Sequence, residues 1–238
     1  MTKKPILAAL LLSMLFAQML LLEGCEKLPK PPRKIVDARV PAEMRAYINF
    51  KKGTYWIYQC QQTGAIDSQY VVGGWNIIDT THKNDPECVA MFVIEAFDMR
   101  VRSAMDGTIR DYGTNTERLS SCNVDYIENP SYRARLSVAE VNQGASESLC
   151  FRYPFVVGWK VETSRLSVFT IKQQYASLAV AGKIYNEVVQ FEHTVAQDNA
   201  DSEHYFAKNY GVIKRVIKPN QYSTKSETWN LIRSKIIQ

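Results

Sequence analysis

The stretch Leu178-Ala-Val-Ala-Gly-Lys-Ile-Tyr-Asn-Glu-Val-Val-Gln-Phe-Glu-His193 shows most clearly how this chain folds. The second arm, Lys183–His193, is rich in β-branched and aromatic residues, which favour strands, and the first arm, Leu178–Ala181, is apolar. Gly182-Lys183 separates the two arms, and a glycine between two such runs favours a tight turn. The stretch therefore predicts a β-hairpin made of two antiparallel strands.

The same alternation of strand and turn extends over most of the chain. Tyr55–Cys60 is an aromatic strand candidate, and Gln69–Ile78 is another, with a predicted bulge at Gly73-Gly74. Residues 89–97 are apolar on both faces, which predicts a central strand, and Asp106-Gly107 predicts a hairpin turn. Roughly ten or more such strands predict an all-β fold, a single antiparallel sheet that is a curved open sheet or a partly closed barrel.

Residues 1–24 have the layout of an export signal. Lys3 and Lys4 precede an apolar run, and Gly24 stands directly before Cys25. A single membrane-spanning helix is the alternative, but the run is shorter than the roughly 20 residues that such a helix needs. The chain is therefore predicted to be exported from the cytoplasm.

The end of this signal, Leu22-Glu-Gly-Cys25, resembles the lipobox of bacterial lipoproteins, although Glu23 departs from the small residues usual at that position. The resemblance implies that a diacylglycerol is attached to the sulfur of Cys25 and that cleavage makes Cys25 the new N-terminus. It also implies a membrane partner through the lipid anchor, handling by the lipoprotein export and sorting machinery, and residence in the cell envelope at the outer membrane.

A tether separates the lipidated cysteine from the predicted domain. Residues 26–36 contain three prolines and four cations and have too few apolar residues to build a core. We expect residues 25–48 to be this tether, with one short helix at Pro41–Tyr47, and residues 49–238 to be the β domain. The formal net charge of +5 is mild and its charges are interspersed, so a nucleic-acid partner is not expected.

Four cysteines remain beside Cys25, and an even number in an exported chain favours disulfides. We predict the pairs Cys60–Cys88 and Cys122–Cys150, because each pair flanks one loop-rich segment. Sequence leaves the two other connectivities and four free thiols open. A zinc site is disfavoured, because no two of these cysteines have the close spacing that structural zinc sites use.

The strongest metal candidates are His193 and His204, which flank an acidic loop. If their strands pair, both imidazoles could meet Asp201 or Glu203, but a loop rich in Asp and Asn needs no metal to explain it. The chain has no nucleophile, phosphate-binding or dinucleotide motif. We therefore expect no cofactor, no metal and no enzymatic activity.

Several short motifs resemble a group of Bacteroidota lipoproteins that have no assigned activity. These motifs are Gly53-Thr-Tyr-Trp-Ile-Tyr58, Ala181-Gly-Lys-Ile-Tyr-Asn-Glu-Val-Val189, Tyr205-Phe-Ala-Lys-Asn-Tyr-Gly-Val-Ile-Lys-Arg215 and Trp229-Asn-Leu231. The resemblance implies a sheet similar to the open, curved sheets of lipoprotein carrier and receptor proteins. It is an analogy of fold and transfers no function.

Three functions fit this description. The first is a binding module for an apolar ligand or a partner segment, which would show an uncovered apolar surface. The second is a structural or interaction lipoprotein of an envelope complex, with a filled interior and no ligand pocket. The third is a hydrolase acting on envelope material, which the missing motifs disfavour.

Overall fold

We describe the chain from a computed structural model. The described residues are 34–81, 90–107, 109–115, 132–139, 146–164, 167–195, 202–219 and 225–238. They belong to a compact unit that extends from Lys34 to Gln238. The predicted export signal and Cys25 lie outside the described residues. No described helix is long and apolar enough to cross a membrane.

The described residues form thirteen strands and one helix. In chain order these elements are β1 (Lys34–Ala38), α1 (Ala42–Ile48), β2 (Tyr55–Cys60), β3 (Ile66–Thr81), β4 (Ala90–Ser103), β5 (Ile109–Asn115), β6 (Tyr132–Ala139), β7 (Ser146–Tyr153), β8 (Lys160–Ser164), β9 (Ser167–Val180), β10 (Lys183–Val195), β11 (Ser202–Ala207), β12 (Gly211–Ile217) and β13 (Glu227–Lys235).

All strands except β1 lie side by side in one antiparallel sheet, in the order β7-β6-β5-β4-β3-β2-β13-β12-β11-β10-β9-β8. The pairing of β2 with β13 brings the first and last strands of this meander together in the middle of the sheet. The edges are β7 and β8, and no ladder among the described residues joins them. The predicted all-β sheet that is not fully closed is therefore confirmed.

The folded unit begins earlier than the sequence predicted. β1 pairs with β4 in parallel, an exception to the antiparallel pattern. The predicted short helix is present as α1, and its Met44, Tyr47 and Ile48 are buried in a core. Met44, Tyr47 and Ile48 lie on one face of α1, and this apolar face packs against the sheet.

The interior has two apolar clusters. One joins the inner side chains of β2–β4 to those of β12 and β13, and includes Trp56, Val101 and Leu231. The other lies between α1 and β9–β11 and includes Phe191 and Phe206. Consecutive residues of β10 and β11 belong to different clusters, so both faces of these two strands are covered.

The sheet curves so that the turn end of the β9–β10 hairpin packs over its inner face. Val180 and Tyr185 of this hairpin pack in the same cluster as Trp56 of β2, although three strands separate β10 from β2 in the sheet. The turn falls one residue earlier than predicted, because Ala181 (φ 50°) and Gly182 (φ 79°) take the two left-handed positions of a tight turn. The bulge predicted at the paired glycines of β3 is confirmed by a register shift between Val71 and Gly73.

Candidate functional site

β3 is much longer than β2, its neighbour on the side away from β4. It has 16 residues, whereas its neighbour β2 has 6 and pairs only with Ile66–Tyr70. One further bond follows, in which Val71 N–H donates to the Thr54 carbonyl at 2.9 Å. Beyond that point the ladders of the described residues give β3 only one neighbour, β4. The second half of β3 is therefore an edge strand within the described structure.

Large apolar side chains on this half of β3 are exposed to solvent. Trp75 is 48% exposed, Ile77 is 56% exposed and Ile78 is 58% exposed. No residue from Ser68 to Ile78 is charged. Natural sheets usually protect such edges with lysines, prolines or very short strands, because an open edge can pair with another chain. We call Gly73–Ile78 the β3 edge.

The bulge sets where the β3 edge begins. The register of β3 against β4 shifts between Val71 and Gly73, next to the last backbone bond to β2. A bulge bends a strand and increases its twist, so it is a natural point for two neighbouring strands to separate. A side chain added at Gly73 would meet no atom within 4 Å. The β3 edge therefore has open space at its start.

An ion pair holds α1 against the strands beside the β3 edge. Arg45 Nη1 donates to Glu95 Oε1 of β4 at 3.2 Å, and Asn76 Nδ2 donates to the same oxygen at 3.1 Å. Arg45 Nε also donates to the Val40 carbonyl at 3.0 Å. Because the Glu95 side chain is only 1% exposed, these bonds lie in an environment where water competes weakly. They fix Asn76, at the middle of the β3 edge, to a buried anchor.

The interior between the two clusters is filled. The cavity there has a volume of about 10 Å³, and its walls include Tyr47, Tyr58, Met99 and Phe206. That is about the space that one water molecule needs. Two grooves of ≈ 250 and ≈ 220 Å³ lie on the surface, and their linings mix amide side chains with apolar ones. The cavity could not hold a lipid-sized ligand.

A buried carboxylate pins the paired start of β3 to the end of β4. Asp67 is 1% exposed and accepts hydrogen bonds from Gln69 Nε2 at 2.6 Å and from Ser103 Oγ at 2.7 Å. Ser103 Oγ also accepts from the Met105 N–H at 3.3 Å. Sequence reasoning missed this network, because its members look like ordinary polar positions of alternating strands. It fixes the register of the strand that presents the β3 edge.

The predicted disulfide between Cys60 and Cys88 stays a prediction, because Cys88 lies outside the described residues. Cys60 is a buried free thiol at the end of β2. Ala90, the described residue nearest in sequence to Cys88, begins β4 beyond the far end of β3, because Thr81 pairs with Phe92 while Gln69 pairs with Ser103. Cys88 and Cys122 lie outside the described residues, and Cys150 is described only as part of β7. The pair Cys122–Cys150 stays a prediction.

The two histidines lie on neighbouring, paired strands but have different surroundings. His193 is buried and stacks on Phe169, with ring centroids 4.1 Å apart and planes 3° apart. His204 is only partly exposed, with Nε2 at 3.1 Å from Ser202 Oγ. Within the described ranges, no three His, Cys, Asp or Glu side chains are placed to hold a metal ion. Asp201 lies outside those ranges.

Glu203, the other predicted partner of these histidines, belongs to a hydrogen-bonded group on the sheet. Its Oε2 accepts from Tyr205 Oη at 2.8 Å and from Gln190 Nε2 at 3.2 Å, and its Oε1 lies 3.3 Å from Lys218 Nζ. Burial alone would raise the pKa of Glu203, but the bonds from Tyr205 and Lys218 lower it below the ordinary value. This carboxylate is occupied by structural contacts.

Comparison with solved structures gives two chains to which this one is distantly similar. The chain is similar to an inferred lipoprotein from Parabacteroides distasonis ATCC 8503, with 11% identity, a TM-score of 0.36 and coverage of 80% of this chain and 98% of that one. It is also similar to an inferred exported protein with a YmcC-like fold from Bacteroides fragilis NCTC 9343, with 8% identity, a TM-score of 0.40 and coverage of 79% and 98%.

Both neighbours are described as lipoprotein or exported proteins of Bacteroidota, the group that the sequence motifs resemble. At these identities and TM-scores the likeness carries no argument about function. No protein-family model matches the chain. No curated protein matches it either.

Proposed function

We propose that this chain is a lipid-anchored protein of the bacterial envelope that binds an extended strand of a partner protein along the β3 edge. It acts by binding, without catalysis and without an internal ligand. The observation that carries the proposal is the exposed apolar edge, in which Trp75, Ile77 and Ile78 are each about half exposed on a strand with one described neighbour.

An extended partner suits this edge because edge strands bind by adding a strand. The partner's backbone satisfies the outward N–H and C=O groups, and its side chains pack against alternate residues of the edge. The large side chains at Trp75 and Ile77 lie two residues apart, so they share one face of the strand. They offer a partner strand an apolar contact on that face.

The small size of the cavity between the two clusters of described residues favours a protein partner over a small apolar ligand. Ligand pockets for drug-sized molecules have volumes of about 300–1,000 Å³. The cavity between the two clusters has a volume of about 10 Å³. A binding module could hold either an apolar ligand or a segment of a partner protein. The small cavity therefore supports the partner segment.

The anchor part of the proposal rests on the sequence, where Leu22-Glu-Gly-Cys25 ends an export signal. Two or three acyl chains on Cys25 would hold the chain at a membrane, since each buried CH₂ contributes about 0.8 kcal/mol. We place this anchor at the outer membrane. Replacing Cys25 by Ser should abolish incorporation of labelled palmitate and release the chain from membranes, and retention of both would contradict the anchor.

Site-specific photo-crosslinking in producing cells tests the binding surface. A photoreactive benzoylphenylalanine is placed at Ile77 in the full chain, and at Ile184 as the matched control. Ile184 is also an exposed isoleucine of a strand, 69% exposed, but it lies on β10. We expect discrete protein adducts from position 77 and none from position 184. Equal adducts from both positions, or none from position 77, would contradict the proposal.

A further inference from the structure

We propose that the partner of the β3 edge is the β3 edge of a second copy of this chain, paired antiparallel about a two-fold axis. The inference rests on the proposed function, because it names what that same edge binds. Its result is a dimer with one continuous sheet across the two copies.

The backbone groups on the outer side of the β3 edge can form hydrogen bonds with another strand. From Val72 onwards β3 pairs only with β4 among the described residues, so the groups on its other side point outward. Six residues from Gly73 to Ile78 extend over about 20 Å at a strand rise of about 3.3 Å each. An antiparallel partner of the same length would satisfy the outward groups along this whole distance.

Charge makes a second copy a suitable partner at this edge. The chain has a mild formal net charge of +5, so two copies repel each other weakly overall. The run from Ser68 to Ile78 contains no charged residue. Two copies can therefore approach along the β3 edge without placing like charges opposite each other, a juxtaposition that destabilises strand pairs.

The residues of the β3 edge also form suitable pairs when two copies of the edge lie antiparallel. In an antiparallel register centred on Asn76, Trp75 of each copy lies opposite Ile77 of the other. Aromatic and β-branched residues form favourable cross-strand pairs, and a two-fold axis makes each such pair twice. Gly74 then lies opposite Ile78, so the smaller residue meets the larger one. This register leaves no pair of bulky side chains directly opposed at the ends of the edge.

Sedimentation velocity of the purified full chain in detergent tests this inference. We expect a dimer for the natural chain and for Ile184→Lys. Ile77→Lys places two cations close together across the axis, and should raise the dimer dissociation constant by at least about tenfold. Circular dichroism of each variant checks that it is folded.

A second measurement does not depend on a destabilising substitution. Benzoylphenylalanine at Trp75 of the purified full chain should give an adduct with the mass of two chains, joined to a peptide of β3. A monomeric natural chain, a dimer unaffected by Ile77→Lys, or an adduct joined outside β3 would overturn the inference. Where the purified chain is monomeric but position 77 still forms adducts with a different protein in cells, the self-pairing fails and the proposed function stands.

Discussion

Arg45 of α1 and Glu95 of β4 form an ion pair, with 3.2 Å between Nη1 and Oε1, and the carboxylate is almost completely buried. Glu95 also accepts from Asn76, so the pair connects the helix to the middle of the β3 edge. A buried carboxylate that loses its cation is costly, but the Arg45 side chain is 38% exposed and solvent screens part of the interaction.

We therefore expect Arg45→Met to lower the free energy of unfolding by about 1–3 kcal/mol. Urea denaturation measures the change. The matched control is Arg39→Met, which removes the exposed ion pair with Asp37 and should leave stability unchanged within error. An equal loss of unfolding free energy in the two variants would show that the buried ion pair stabilises the fold no more than the exposed one.

Gly211 lies against an aromatic ring in a conformation that other residues rarely adopt. Its φ is +76°, and an added Cβ would lie 3.0 Å from Phe50 Cε2. Gly211→Ala should therefore lower the free energy of unfolding by about 2–4 kcal/mol, from backbone strain together with overpacking. Gly64→Ala is the control, because Gly64 has φ +74° but open space around it.

Gly64→Ala should lower the free energy of unfolding only by the backbone strain, about 1–2 kcal/mol. Denaturation curves of both variants at one pH give the comparison. A loss at Gly211 no larger than the loss at Gly64 would mean that the contact with Phe50 is relieved easily.

Tyr47 of α1 gives the fold a dependence on alkaline pH. Burial, together with the charge of Glu187, raises the pKa of Tyr47 to about 12. An unfolded tyrosine ionises near pH 10. The stability associated with the protonated phenol is thus present below about pH 10 and is lost as the pH rises towards 12.

Tyr47→Phe should remove this part of the alkaline loss, so its stability should fall less steeply than that of the natural chain above pH 10. At pH 7 the variant should lose about 1 kcal/mol, because Tyr47 Oη no longer donates to the Glu187 carbonyl at 2.9 Å. Urea denaturation at several pH values between 7 and 11.5 tests both parts. Parallel curves for the two proteins would contradict the pH argument.

Cys60 should be a free thiol in protein exported to an oxidising compartment. The structure buries it at the end of β2, far along the β3–β4 ladder from the start of β4. Maleimide labelling in denaturant without reductant, followed by peptide mapping, should find the Cys60 peptide fully labelled. A disulfide-linked peptide containing Cys60 would contradict this prediction and restore the one made from sequence.

Sequence predicted the fold class because strand patterns are local. The aromatic run at Tyr55–Cys60, the paired glycines of β3 and the hairpin that ends in His193 each fold as their residue types indicate. Sequence did not show that α1 packs with the sheet, because the burial of Tyr47 depends on Phe155 and other residues distant in sequence. The spacing of Met44, Tyr47 and Ile48 indicates an apolar helix face, but it does not show which part of the chain that face packs against.

The candidate site could be predicted from the sequence only in part. Sequence predicted a strand through Trp75 and Ile78, but whether these side chains are covered depends on the length of β2, which ends its ladder at Tyr70. The shortness of β2 beside the long uncharged run Ser68–Ile78 is a signal of this open edge that the sequence contains. The burial of Glu95 gave no such signal, because its partner Arg45 lies 50 residues away in sequence.

Residue-resolved hydrogen–deuterium exchange of the purified full chain tests the central claim most directly. Strand residues alternate in the direction of their N–H groups, so in a dilute sample about every second amide from Gly73 to Ile78 should exchange fast, while those facing β4 stay protected. At high concentration the outward amides should become protected, and Ile77→Lys should prevent this protection. Protection of the outward amides that persists in Ile77→Lys, or fast exchange of them at every concentration, would contradict the account.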